Sequence, residues 1–281
     1  MKNTGNYVLT PQGRVHKSRI HQVGPNGEAG PPGPTSGPPH GGSVVRAVSP
    51  GGWKASATFA AAVPLGKMSF KLRVPDPPVV DGAIIFLFAG AENAQMKMIL
   101  QPVLQWGDNG LFGLPDSDGW TIACWYVAPD GQWYVSNPEP VNPGDIVTGT
   151  VEAVGCFKED GEWMCEWMIE AATSSDVSTV LKNGDILPHG DTVPLMLPWL
   201  MLFLVGAALE AYPQDPCCGG IVPEQYPASG ATTFYDIELT DLAGQRFVAD
   251  WNARCALDDS LCDCTNTVEI SRDKSTVTLN Y

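Results

Sequence analysis

Past Ser43, apolar residues recur in short runs that alternate with polar ones or stay apolar throughout, and no long stretch repeats every 3.6 residues. Such runs predict β-strands at residues 55–63, 67–74, 83–88, 96–103, 121–128, 132–136, 146–154, 163–172, 200–209, 232–239 and 275–280. Pro, Gly, Asn and Asp punctuate them at short intervals, and Pro129-Asp130-Gly131 and Asp160-Gly161 read as hairpin turns. Many short strands joined by turn chemistry predict an all-β fold, an antiparallel two-sheet β-sandwich.

Two segments depart from this pattern. Residues 193–209 carry no charge over seventeen positions, the lower limit for a membrane-spanning helix. Pro194, Pro198, the lack of a flanking basic cluster and Glu210 at the end favour a buried strand, so no membrane partner is expected. The first 43 residues open on polar Met1-Lys2-Asn3-Thr4-Gly5 without an apolar core, unlike a signal peptide. Gly24 to Thr35 form four Gly-x-y triplets, too few to hold a collagen helix, and proline continues to Pro39. The expectation is a disordered N-terminal tail and linker over residues 1–43, followed by a sandwich domain over residues 44–281.

Charge sharpens that division. Of 281 residues, 16 are Lys or Arg and 31 are Asp or Glu, for a net charge of −15. Residues 1–43 hold Lys2, Arg14, Lys17 and Arg19 against Glu28 alone, a net of +3, which leaves −18 on the rest. So acidic a body repels nucleic acid and anionic membrane and suits an acidic medium, where part of its charge is titrated away.

Histidine is nearly absent from the body. His16, His21 and His40 lie in the tail, and His189 sits in the loop-like Leu187-Pro188-His189-Gly190. Without a Gly-x-Ser-x-Gly elbow, a Ser-His-Asp or Cys-His site has no support. Neither Cys217-Cys218 nor Cys262-Asp263-Cys264 has zinc spacing, so no metal or other cofactor is implied. Asp108-Asn109 and Asp116-Ser117-Asp118-Gly119 resemble parts of a calcium loop but lack the distal glutamate, and read as surface turns.

The eight cysteines bear on compartment. The Asp160-Gly161 turn pairs Glu159 with Glu162, Phe157 with Met164 and Cys156 with Cys165, and alternation makes the last a non-hydrogen-bonded pair. Its Cα atoms then approach to about 4.5 Å, within disulfide reach. A Cys156–Cys165 bridge is expected in an oxidising, extracellular setting; in a cytosolic protein all eight would stay reduced. Trp106, Trp120, Trp125, Tyr126, Trp133 and Tyr134 could form a sugar- or peptide-binding platform or fill the sandwich, and alternation divides them between two faces.

Four short motifs in order carry a family resemblance. Met98-Ile99-Leu100-Gln101-Pro102-Val103-Leu104-Gln105-Trp106-Gly107-Asp108-Asn109-Gly110 resembles the catalytic-glutamine strand of the glutamic peptidases, the eqolisins. Val205-Gly206-Ala207-Ala208-Leu209-Glu210-Ala211-Tyr212 resembles the strand that bears their catalytic glutamate. Between them, residues 120–129 and 142–147 match that family's aromatic strand and the Gly-Asp start of its next strand. The departures are specific: no tryptophan precedes Gln101 by some fourteen residues, Gln105 replaces a frequent aspartate, the glutamate expected near Tyr126 is missing, and Ala207 stands for an aromatic.

The resemblance implies a concanavalin A-like sandwich and an acid-acting endopeptidase, expected to work as a monomer, with Gln101 and Glu210 catalytic and Trp106, Trp125, Tyr126 and Tyr212 against the substrate. Its partner would be a polypeptide, and the tail a propeptide lying across an acidic cleft. A glutamate shielded in a cleft has its pKa raised and can act as general base toward water. A neutral glutamine amide then donates a hydrogen bond to the developing oxyanion. The competing expectation is a non-catalytic module of the same fold that binds glycan or peptide.

Overall fold

In a computed structural model of the chain, the described residues are 7–10, 13–16, 19–23, 52–93, 98–108, 119–186, 192–198, 204–213, 221–254 and 266–281. They form β1 (Tyr7–Thr10), β2 (Gly13–His16), β3 (Ile20–Val23), β4 (Gly52–Ala60), β5 (Leu65–Arg73), β6 (Ala83–Glu92) and β7 (Ile99–Trp106). There follow β8 (Trp120–Val127), β9 (Trp133–Ser136), β10 (Glu139–Val141), β11 (Ile146–Glu159), β12 (Glu162–Thr173), β13 (Ser178–Lys182) and β14 (Met196–Pro198). The last are β15 (Leu204–Pro213), β16 (Ala231–Asp241), β17 (Arg246–Phe247), β18 (Asn252–Arg254), β19 (Thr267–Ile270) and β20 (Val277–Asn280).

Two large sheets result, as the pattern predicts. The first runs β18-β4-β15-β6-β7-β8-β9-β3, with β10 also on β8. The second runs β13-β12-β11-β5-β16-β20-β19, with β14 on β12 and β17 on β16. Between them lies a core that includes Phe70, Leu72, Trp120, Tyr126, Trp167 and Phe234. Packing is tight enough there that a Cβ at Gly149 would overlap the Phe70 ring and come within 2.8 Å of Pro102 Cγ. The strands are joined antiparallel except at one edge, where β3 pairs parallel with β9. No helix among the described residues is long and apolar enough to cross a membrane, and the uncharged run after Val193 contributes β14 and part of β15.

The first sheet is apolar on both faces. All of β7 and β8 is buried, and so is every residue of β6 except Glu92. Alternation fails in these strands because their outer face carries a second cluster, built on Ile84, Phe86, Phe88, Val103, Trp125 and Trp133. Val8 of β1 is part of that cluster, and Val15 of β2 and Ile20 of β3 pack against it. This corrects the expectation of a disordered N-terminal tail: residues within 7–23 form three strands. The physical reason is that an apolar sheet face needs cover and the tail supplies it. The Gly-x-y triplets that follow lie outside the described residues, as do His40, His189, Asp116 to Asp118, Cys217, Cys218, Cys255, Cys262 and Cys264.

The β11–β12 hairpin has the register its turn predicts, with Cys156 opposite Cys165 and Glu159 opposite Glu162. Asp160 and Gly161 both take positive φ, 47° and 92°, as a two-residue turn of this kind requires. The Cys156–Cys165 disulfide is formed across Cα atoms 4.1 Å apart. A bulge between Ala153 and Gly155 lies beyond the bridged pair. Among the described cysteines, Cys124 is a buried free thiol.

Candidate functional site

Strand parity places Gln101 and Glu210 on one surface. In β7, Leu100 and Leu104 enter the inter-sheet core while Ile99 and Val103 join the outer cluster, so Gln101 and Gln105 also face outward. In β15, Ala207, Leu209 and Ala211 face the core while Ala208 and Tyr212 face outward, which sets Glu210 on the same outer face. Gln101 is 0% exposed and Glu210 1% exposed. Both residues are thus buried on the face whose apolar cluster includes Val8 and is packed by Val15 and Ile20.

Register fixes how far apart they stand. The β6–β7 pairing puts Gly90 opposite Gln101, and the β6–β15 pairing puts Gly206 opposite Gly90. Glu210 instead lies opposite Phe86, which lies opposite Gln105. Gln101 and Glu210 are therefore two strands and four residues apart, about 10 Å across and about 13 Å along the sheet. Gly90, Gly206 and Ala208 occupy the intervening outer positions with little or no side chain. Phe88, opposite Val103 on β7 and Ala208 on β15, stands midway between Gln101 and Glu210 on the same face.

A second acid lies on the same outer face. Glu92 faces outward two residues beyond Gly90, opposite Ile99, and is mostly buried. Burial pushes its carboxyl up from 4.5 to about 7. Glu210 is pushed well above the usual carboxylate range, first by burial and then by the Glu92 charge. The Trp53 indole and Tyr212 hydroxyl favour its ionised form, but the hydroxyl donates to Oε1 only at a long 3.5 Å and does not offset the burial.

The aromatic residues expected against substrate separate by face. Trp125 lies opposite Gln101 on the outer face, and Tyr212 lies beside Glu210. Trp106 and Tyr126 sit in the inter-sheet core instead, Trp106 against Trp120 and Tyr126 stacked on Tyr134. Even positions of β7 and β8 point inward, and that parity takes both rings away from the outer face. Glu92, Gly90 and Gly206 were missed from sequence. The available signal was an acid ending a ten-residue apolar strand that pairs directly with the glutamine strand.

No protein-family model matches the sequence, and no curated protein is significantly similar to it. Solved structures do match. SCP-B, a member of the eqolisin family of peptidases solved with the tripeptide Ala-Ile-His, superposes with a TM-score of 0.50 at 14% identity. The match covers 82% of this chain and 99% of that one. Scytalido-glutamic peptidase with a peptide-based transition-state analogue gives a TM-score of 0.49 at 15% identity over the same shares. The likeness to SCP-B is one of fold: the chain has the two-sheet, concanavalin A-like sandwich seen in that peptidase.

Proposed function

We propose that the protein is a glutamic-peptidase-like hydrolase that cleaves peptide bonds in acid, and that residues 1–43 act as a propeptide-like cover. The observation that carries this is the burial of Gln101 and Glu210 on one outer sheet face, to whose apolar cluster the N-terminal strands contribute Val8, Val15 and Ile20. A neutral amide in a water-poor site can stabilise an oxyanion without bringing a charge that must itself be desolvated. A glutamate supplies the general base, a role that the sequence resemblance gives to Glu210. The substrate is a polypeptide, no cofactor takes part, and the expected setting is extracellular, with the enzyme acting as a monomer.

Acid has two effects in this scheme. It neutralises carboxylates of the −18 body and so loosens its hold on the +3 tail. Removal of the cover also returns water to the buried carboxyls, and their pKa values fall back toward about 4.3, where a base is partly ionised in mild acid. Purified full-length protein should therefore cleave an unfolded protein substrate somewhere between about pH 2 and pH 6. Gln101→Ala should lower kcat at least 100-fold, the loss typical of a removed oxyanion donor. Equal rates in wild type and variant would remove Gln101 from the chemistry.

The four-residue offset between Gln101 and Glu210 favours a second reading, a non-catalytic module that holds glycan or peptide on the same face. It predicts binding without turnover across that pH range.

A further inference from the structure

Among the outer-face neighbours of Gln101, Gly90 lies directly opposite on β6 and Trp125 on β8. Of its four diagonal neighbours, Phe88, Ala123 and Val127 are apolar, and Glu92 is an acid. Diagonal neighbours of an antiparallel pair have Cα atoms about 7–8 Å apart, within reach of two long side chains. Glu210, two strands and four residues away, is well outside that range. Gly90 keeps the approach clear: a Cβ there would lie 3.1 Å from Gln101 Cβ and 3.3 Å from Ile99 Cδ1. It would also meet the Leu100 carbonyl oxygen at 2.9 Å, so the close strand contact itself demands glycine.

We propose that Glu92 is the carboxylate that works with Gln101, taking a proton from a water held between them over Gly90. This rests on the hydrolase reading above and reassigns its base. The water oxygen bonds to the substrate carbonyl carbon, its proton passes to Glu92, and the carbonyl π pair moves onto oxygen, where the Gln101 Nε2–H group donates. When the C–N bond breaks, Glu92 returns that proton to the leaving amine, so one water is consumed and the enzyme is unchanged. Glu210, two strands and four residues from Gln101, takes no part in this step.

Two measurements on the full-length chain test this. In peptide cleavage, Glu92→Gln should lower kcat at least 100-fold, and at least tenfold further than Glu210→Gln does. Loss of activity in Glu210→Gln with near-normal Glu92→Gln would overturn the assignment and leave the hydrolase reading standing. An inactive wild type would sink both. Independently of turnover, glutamate side-chain carboxyl carbons can be titrated by NMR. Gln101→Leu removes the amide that would hold the shared water against the Glu92 carboxylate and should raise the Glu92 titration midpoint by about one pH unit, more than that of Glu210. If Glu210 moves and Glu92 does not, the pairing is wrong.

Discussion

Burial acts on Glu92 through solvation, and the consequence for stability has a definite sign. Its carboxyl is raised from 4.5 to about 7 by desolvation. The folded state therefore binds a proton more tightly than the unfolded state. Stability from this group is fully present below about pH 4.5, declines as pH rises toward 7, and is gone above it. The difference corresponds to about 3 kcal/mol. Glu92→Gln removes the ionisable group while keeping its shape, so the variant should be more stable than wild type at pH 8 and no more stable at pH 4. Urea unfolding at both pH values measures it, and a constant difference between variant and wild type would mean that Glu92 is solvated in the folded state. At this scale the sequence showed residue types and parity within a strand. It could not show that Gln101 stands opposite Gly90 and diagonal to Glu92, because a strand's neighbour and register depend on distant pairing.

Among the elements, the β11–β12 hairpin was the most legible because its pairing is local. The Asp160-Gly161 turn sets the register, and every pair from Glu159–Glu162 back to Cys156–Cys165 follows by counting. The bulge between Ala153 and Gly155 came after the bridged pair and so left it undisturbed. Beyond the bridge the hairpin projects with Phe157 and Trp163 each 45% exposed, so few tertiary contacts hold the tip. The disulfide closes a loop with a sequence separation of 9. On the chain-entropy model such a loop contributes roughly 2–3 kcal/mol. Selective reduction should lower unfolding stability by about that amount. Hydrogen exchange at residues 156–165 should speed up before the β5–β11 ladder does. An unchanged denaturation midpoint after reduction would mean that sheet contacts alone hold the hairpin. The shorter elements β10, β13, β14, β17, β18 and β19 left weaker traces, since two to five residues are too few to display a period.

At the scale of the molecule, composition alone assigned residues 1–43 to a tail, yet the signal for its docking lay elsewhere in the chain. In β6, Ala83-Ile84-Ile85-Phe86-Leu87-Phe88-Ala89-Gly90-Ala91 does not alternate, so both faces of that strand need cover, and the second sheet can supply only one. Besides its four-residue parallel ladder with β9 and the packing of Ile20 on the outer cluster, small side-chain contacts among the described residues hold β3 at the sheet edge. His21 stacks on Tyr134 with ring centroids 5.1 Å apart, His21 Nε2 lies 3.2 Å from Gln132 Oε1, and Arg19 donates to the Asp130 carbonyl at 3.3 Å. These are modest holds, and long-range attraction between the +3 tail and the −18 body adds a component that both acid and salt weaken. Backbone amides of residues 20–23 should therefore exchange with solvent much faster than those of β7 and β8. Their opening should ease further below about pH 4, where carboxylates are protonated, and at 1 M salt, where charges are screened beyond about 3 Å. Release should also uncover the Phe86–Phe88–Trp125 surface and raise the fluorescence of an apolar dye reversibly. If residues 20–23 stay as protected as the sheet centre at pH 3 and at high salt, the N-terminal strands are a permanent part of the sandwich and the cover does not open.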